Sequence, residues 1–183
     1  SREYPLEFPQ PGWSQQNPED WRKAVLEGIP DLLTGFDSKA VAGIGCGGQM
    51  HGLVVLDRED QVIRPAILWN DGRTARQVDY LNNVIGKERL SAWTANIAFA
   101  GFTAPKILWM RENEPENFAK IAKIMLPKDY VNYILTGVHA CDDSDASGSL
   151  LLDVKNKRWS REMLDICGVR ETQMPRLFES YQC

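Results

Sequence analysis

The chain has 183 residues, 43% of them hydrophobic and 25% charged, with a net charge of -4 and a pI near 5.3. A chain of this length and apolar content buries one sizeable core, or a core with a subdomain, and has no signature of disorder. The acidic balance, without a basic run to neutralise phosphates, argues against nucleic acid or a membrane surface as partner and favours small molecules.

Cys46, Cys141, Cys167 and Cys183 lie far apart with no C-x-x-C pair. That spacing disfavours a zinc site, gives no disulfide framework and fits a reducing cytoplasm. No apolar run approaches the roughly 20 residues needed to span a bilayer. The chain enters on SREYPLEFPQPGW, an extended, proline-punctuated segment with no earlier strand to pair with, and stops at Cys183 without a cap, so both ends read as cut.

In chain order, Asn17-Pro18-Glu19-Asp20 reads as a helix start: a capping Asn, a proline suited to the first turn and two acids at the positive dipole end. Trp21, Val25, Leu26, Ile29, Leu32 and Leu33 recur at helical spacing, and Pro30 is expected to break or kink the pattern, with the helix ending near Gly28 and resuming as a short turn. Trp13 reads as a core or staple residue. Ala40 to Ile44 is expected as a short buried strand. Gly43, Gly45 and Gly48 then satisfy G-x-G-x-x-G, but the next residues are the β-branched HGLVVLD instead of a helix. The helix N-terminus that would hold a pyrophosphate is missing, so the glycines read as tight turns or a close backbone approach to something small.

Leu53 to Leu56 and Gln61 to Ile63 are expected as a hairpin around Asp57-Arg58-Glu59-Asp60, with Ala66 to Trp69 as a further strand. Asn70-Asp71-Gly72 turns the chain into a helix from Thr74 through Val84, Val78 and Leu81 facing inward. Further helices are expected at Lys87 to Trp93, from a Thr103 cap with Pro105 in the first turn, at Pro115, from Asp129 to Thr136, and from Ser160 to Cys167. Ile107, Leu108 and Met110 supply the core face of the second of these. Ile124 to Leu126 and Leu150 to Val154 read as strands. Strands that alternate with helices and also run in hairpins make the fold α/β with a mixed sheet and flanking helices.

Two polar clusters bracket the first strands: Gln49, Met50 and His51 at one end, Trp69 to Arg73 at the other. If the strands pair, both clusters converge on one rim, and strand-to-helix junctions are a usual place for ligand groups. For His51 and Trp69, ligand contact and structural packing both stay open: an aromatic beside Asn70 and Asp71 offers an apolar wall for the C–H face of a sugar, and equally a core residue. Arg73 is expected to pair with an acid or carbonyl, with an anionic ligand also in reach. His139 reads as structural. The acids of CDDSDASG lack the D-x-D-x-D-G spacing of a calcium loop and read as caps and turns, and Asp71, Asp129, Asp142 and Asp145 need no two-metal account.

GQMHG followed by RPAILWNDGRT resembles the substrate-domain signature of the FGGY carbohydrate kinases, specifically of their xylulose-phosphorylating members. PGWSQQNPEDW, AGFTAPKILWM, LPKDYVNYILTG and SDASGSLLLDV extend the likeness in the family's order over nearly the whole chain. The resemblance implies the actin-like, ribonuclease-H-like ATPase fold, with residues 1–183 as a partial N-terminal domain lacking its first strands, and no C-terminal nucleotide-binding domain. It implies transfer of the ATP γ-phosphate to D-xylulose in a cytoplasmic enzyme, and leaves a homodimer open. Met50 and His51 are then expected to contact the ketose, with Gln49, Trp69 and Asp71 lining or supporting the pocket. ATP and Mg²⁺ are expected in the full-length enzyme but bound to none of these residues. The catalytic base, an Asp, is expected beyond Cys183, so no catalytic residue and no metal ligand is expected in this chain. A sugar-binding or ATPase-fold scaffold that has lost its base, or a kinase for another sugar or polyol, are the alternatives.

Overall fold

The computed structural model describes residues 1–182. Its frame is an antiparallel ribbon in the spatial order β1 (Gln15–Gln16), β3 (Ala66–Ile67), β2 (Val54–Leu56), β4 (Lys123–Met125). The β1 and β3 ladder pairs Gln15 with Ile67, and that of β2 and β4 pairs Val54 with Met125. The halves join where Leu53 and Ile67 exchange N–H···O bonds of 2.9 and 3.3 Å. Alternation along the strands divides two apolar clusters. Leu53, Val55, Ile67 and Ile124 face the larger one, and Val54, Leu56, Ala66 and Met125 pack with Trp21 and Tyr130 on the other side.

Helix α4 (Thr103–Asn113) lies in the larger cluster, with every residue from Thr103 to Met110 buried. Helix α1 (Pro18–Leu32) and helix α6 (Pro127–Thr136) pack on each other beside the smaller one. The rest comprises a parallel pair, β5 (Ala140–Asp142) with β8 (Arg176–Phe178), a hairpin of β6 (Leu152–Asp153) and β7 (Arg158–Trp159), and helices α7 (Asp143–Ser147) and α8 (Arg161–Cys167). Antiparallel and parallel pairs with packed helices make the chain mixed α/β, as expected from its pattern. Among the described residues no helix is long and apolar enough to cross a membrane.

Several local expectations need correction. Ala40 to Ile44 forms no strand: those residues are exposed and only a 3₁₀ turn at Ser38–Ala40 is present, because no described strand lies alongside to complete a ladder. Pro30 does not stop α1 near Gly28. It costs one hydrogen bond close to the helix end, and the last turn still closes through Leu33 N–H to Ile29 O at 3.1 Å. The face of α1 expected to be internal is fully buried only at Trp21; Val25, Ile29 and Leu33 are half-buried, and Leu26 and Leu32 are exposed, Leu32 to 76%. The Asp57 to Asp60 turn forms, held by the Asp57 side chain on the Glu59 and Gln61 N–H groups, but the return strand is reduced to a single bridge, Leu56 to Val62. Helix α2 (Ala75–Asp79) gives way to a π-helical stretch, Tyr80–Gly86, before helix α3 (Lys87–Thr94). The wider turn buries Leu81 and leaves Val84 exposed. Leu150 has a φ of 63°, so β6 starts two residues later than its apolar run suggests.

The caps follow the sequence more closely. Asn17 accepts the Glu19 N–H at 3.1 Å, Ser160 accepts the Met163 N–H at 3.4 Å, and Gly137 and Gly168 close α6 and α8 in the left-handed region. Asp142 caps α7 through the Asp145 N–H at 3.0 Å, and the Lys128 ammonium sits among Asp129, Asp142 and Asp145 at 2.6, 2.9 and 3.4 Å. The acid-rich turn is therefore a cap and an ion-pair cluster. Cys46, Cys141 and Cys167 are free thiols, and Cys183 lies outside the described residues.

The burial of α4 against the exposure of the end of α1 gives a contrast that urea unfolding of this chain can read. Ile107→Ala, at a fully buried position, lowers stability by about 2–5 kcal/mol. Leu32→Ala changes it by no more than about 0.5 kcal/mol.

Candidate functional site

The Gln49-Met50-His51 turn follows an exposed glycine-rich loop and precedes the buried β2, so its side chains sit at the end of the ribbon. Gln49 faces inward: its Nε2 donates to Gln16 Oε1 at 3.1 Å, an oxygen that also accepts the Trp21 indole N–H at 3.3 Å. Met50 is 43% exposed. His51 takes a left-handed backbone, φ 62°, which costs a side-chain-bearing residue roughly 1–2 kcal/mol and needs outside support.

Helix α4 supplies that support. The His51 carbonyl accepts from Thr103 Oγ1 at 3.0 Å and from Lys106 Nζ at 3.2 Å. Thr103 was expected as the cap of α4, but Phe102 holds the cap position without a side-chain bond, and the threonine hydroxyl is used on His51 instead. Lys106 has no exposed surface, and its ammonium also donates to the Gly101 carbonyl. Burial pushes its pKa down to about 7; Asp71 pulls the other way and Arg73 adds to the depression.

The His51 imidazole lies 4.8 Å from the Phe102 ring, which meets Phe99 edge-on at 5.4 Å. Burial first, then the charge of Lys106, holds the His51 pKa below the ordinary 6.5, with the Gly148 backbone opposing. At neutral pH the ring is uncharged, with one N–H donor and one acceptor nitrogen. On its other side is Gly148, whose backbone angles of -79° and -2° suit any residue. What Gly148 provides is room: a Cβ there would collide with the His51 ring, 2.7 Å from Nδ1.

The second polar cluster reaches the same helix start. A Cβ on Gly101 would stand 2.8 Å from the Trp69 carbonyl oxygen, so the loop leading into α4 packs directly on the Trp69 backbone. The Trp69 side chain is 48% exposed. Asp71 is the opposite case, 1% exposed. Its carboxylate accepts from Ser14 N–H at 2.5 Å, Arg73 N–H at 2.9 Å, Arg73 Nε at 2.9 Å and Arg73 Nη2 at 2.8 Å. The Arg73 guanidinium also lies 4.0 Å from the Trp13 ring centre and 4.9 Å from that of Trp109.

Of the residues singled out in the sequence, Met50, His51 and Trp69 thus present surface around one helix start, Gln49 is tied back to β1, and Asp71 is committed to four donors. His139 is structural, its Nε2 2.9 Å from the Ile124 carbonyl. Sequence reasoning missed Phe102, Lys106 and Gly148. Lys106 had a readable signal, a single cation in the apolar stretch Ile107 to Met110 and its preceding Ala-Pro. Nothing local marks Gly148, whose partner is nearly a hundred positions away.

The FGGY family of carbohydrate kinases, N-terminal domain, matches residues 1–183. The xylulose kinase of Lactococcus lactis is 46% identical over 183 residues, covering 98% of this chain and 36% of that protein. A solved xylulose kinase from Brucella ovis superposes with a TM-score of 0.91 at 45% identity, over 97% of this chain and 37% of its own. Gluconate kinase from Lactobacillus acidophilus superposes with a TM-score of 0.90 at 28% identity, over 97% of this chain and 36% of its own. The chain spans a little over a third of the length of these relatives.

The room left at Gly148 is testable. Gly148→Ala displaces the His51 ring, moves its Cε1–H resonance and leaves that of His139 unchanged, at a stability cost of about 1–3 kcal/mol for overpacking. A carbon-edited imidazole spectrum of this chain, which has two histidines, reads the result, and an unmoved His51 signal would show that the site yields elsewhere.

Proposed function

We propose, since the chain belongs to the FGGY family of carbohydrate kinases, that it forms the sugar-accepting part of an ATP-dependent kinase whose acceptor is D-xylulose. Its fold is the actin-like, ribonuclease-H-like fold of that family. The observation that carries the acceptor is sequence identity. Solved xylulose kinases superpose at 45% and 26% identity with TM-scores of 0.91 and 0.90, on either side of the gluconate kinase at 28% and 0.90, whereas five curated relatives at 40–46% identity over more than 90% of the chain are xylulose kinases. Shape therefore leaves the acceptor open, and side-chain identity favours the ketose.

In this reading the neutral His51 imidazole hydrogen-bonds a sugar hydroxyl, Met50 packs beside it, and Trp69 offers its half-exposed face to the C–H side of the sugar. Gln49 and Asp71 support: one ties the turn to β1, the other anchors the segment after Trp69. Holding the acceptor hydroxyl in a fixed place lowers the entropic part of the barrier, and apolar walls keep competing water away. We assign the proton-accepting Asp, the ATP site and the remaining domain to the rest of an enzyme whose relatives are far longer than this chain.

The residues here do not fit a Mg²⁺ site. Asp129, Asp142 and Asp145 close on the Lys128 ammonium, and among the described residues no three His, Cys, Asp or Glu side chains are placed to hold a metal. No step through the metal is assigned to this chain. A cytoplasmic enzyme of xylose metabolism is the setting proposed, supported by the free thiols of Cys46, Cys141 and Cys167 and by the need for ATP.

In the enzyme that carries this chain, coupled ADP release shows turnover with D-xylulose well above that with gluconate or glycerol. The reverse order overturns the acceptor and spares the family. His51→Ala raises KM for D-xylulose roughly 3- to 10-fold, the loss of one neutral hydrogen bond, and leaves KM for ATP unchanged. Equal losses for both substrates would make His51 structural.

A further inference from the structure

We propose that Lys106, with Thr103, is a positioning residue for the sugar site: the two side chains pin the His51 carbonyl from beneath and so fix where its imidazole stands. The inference rests on the reading of His51 as a sugar contact, and its geometry stands apart from that reading.

His51 is in the left-handed region at φ 62°, a conformation its own side chain disfavours. Its carbonyl is held by two donors from one turn of α4, the Thr103 hydroxyl at 3.0 Å and the Lys106 ammonium at 3.2 Å. The second acceptor of Lys106 is Gly101, in the loop that packs on the Trp69 carbonyl. One side chain therefore ties the His51 turn and the Trp69 turn to the same helix.

A fully buried lysine is a poor device for stability. Burying an ammonium is costly, and replacing it with an apolar chain of similar length often leaves a protein as stable or more so. The direction of its pKa agrees: burial brings it down to about 7, and a neutral amine still donates two hydrogens, one for each carbonyl. The titratable and charged groups acting on it are Asp71, which favours the proton, Arg73, which opposes it, and the half-buried His51. Because the folded pKa lies below the unfolded value of 10.5, the unfolded chain binds the extra proton between the two values. Folding is disfavoured most below pH 7, and the penalty fades as pH rises toward 10.5. A group that lowers stability and holds a ligand residue by its backbone has its use in placement.

The test combines kinetics of the enzyme that carries this chain with spectra and melting of the chain itself. Lys106→Met is expected to raise KM for D-xylulose about 10-fold, in the range that a small misplacement causes, with KM for ATP within about 2-fold. Its Tm is expected to equal or exceed that of the parent at pH 6 and to lose that advantage toward pH 9. Thr103→Val, which keeps side-chain shape and removes one donor, is expected to raise KM for D-xylulose about 3-fold, and serves if Lys106→Met does not fold. In both variants the His51 Cε1–H resonance moves and that of His139 does not. An unmoved His51 resonance overturns the proposal whatever the kinetics. A fall in Tm at pH 6 with KM for both substrates rising together overturns it in favour of a structural lysine. If His51→Ala leaves KM for D-xylulose unchanged while the resonance moves in both variants, the positioning stands and the sugar reading of His51 fails.

Discussion

A carboxylate and a guanidinium withdrawn from water hold the frame of this site together. Asp71 and Arg73, with side chains of zero exposure, meet at 2.8 Å. An ion pair in that position contributes little as a pair, because the desolvation of both charges offsets their attraction. Its value lies in what else the two groups hold. Asp71 takes the Ser14 N–H and so fixes the start of β1, while Arg73 lies against both Trp13 and Trp109, whose rings meet edge-on at 5.3 Å. An extended N-terminal segment, a tight turn and the buried helix α4 are locked to one another by two side chains. The His51 turn, held to the first turn of α4 by Thr103 and Lys106, inherits its position from that lock.

This hierarchy explains which parts were legible in the sequence. The caps at Asn17 and Ser160 were legible because each is a local bargain between one side chain and a nearby N–H group, whereas Thr103 uses its hydroxyl on the distant His51 carbonyl. The buried α4 was visible in Ile107, Leu108 and Met110. Elements whose form depends on distant partners were not. The apolar run from Ala40 to Ile44 has strand-forming residues and, among the described residues, no strand beside it, and the π-helical stretch after α2 reflects which of Leu81 and Val84 the core admits.

The site divides in the same way. Its residue types, a histidine after methionine and a tryptophan before Asn-Asp, were visible as exceptions to the apolar runs around them. Their roles were not separable until burial was known: Trp69 and Asp71 stand two positions apart, yet one is half open and the other is closed off. Lys106 was readable as a misfit on an apolar helix, but its partner, a backbone carbonyl 55 positions earlier, was not. Long-range pairing of a side chain with a main-chain atom leaves no mark on the composition of either stretch.

Three glycines around the His51 turn have a consequence of their own. At Gly52 a Cβ would fall 2.6 Å from the Pro127 ring, at Gly101 it would press on the Trp69 carbonyl, and at Gly148 on the His51 imidazole. At these three seams stretches from far apart in the chain meet with no Cβ on the glycine side, against a proline ring, a main-chain carbonyl and an imidazole. Walls in direct contact transmit displacement instead of absorbing it. Seams of this kind leave the His51 turn little room to move, so it has little conformational freedom to lose.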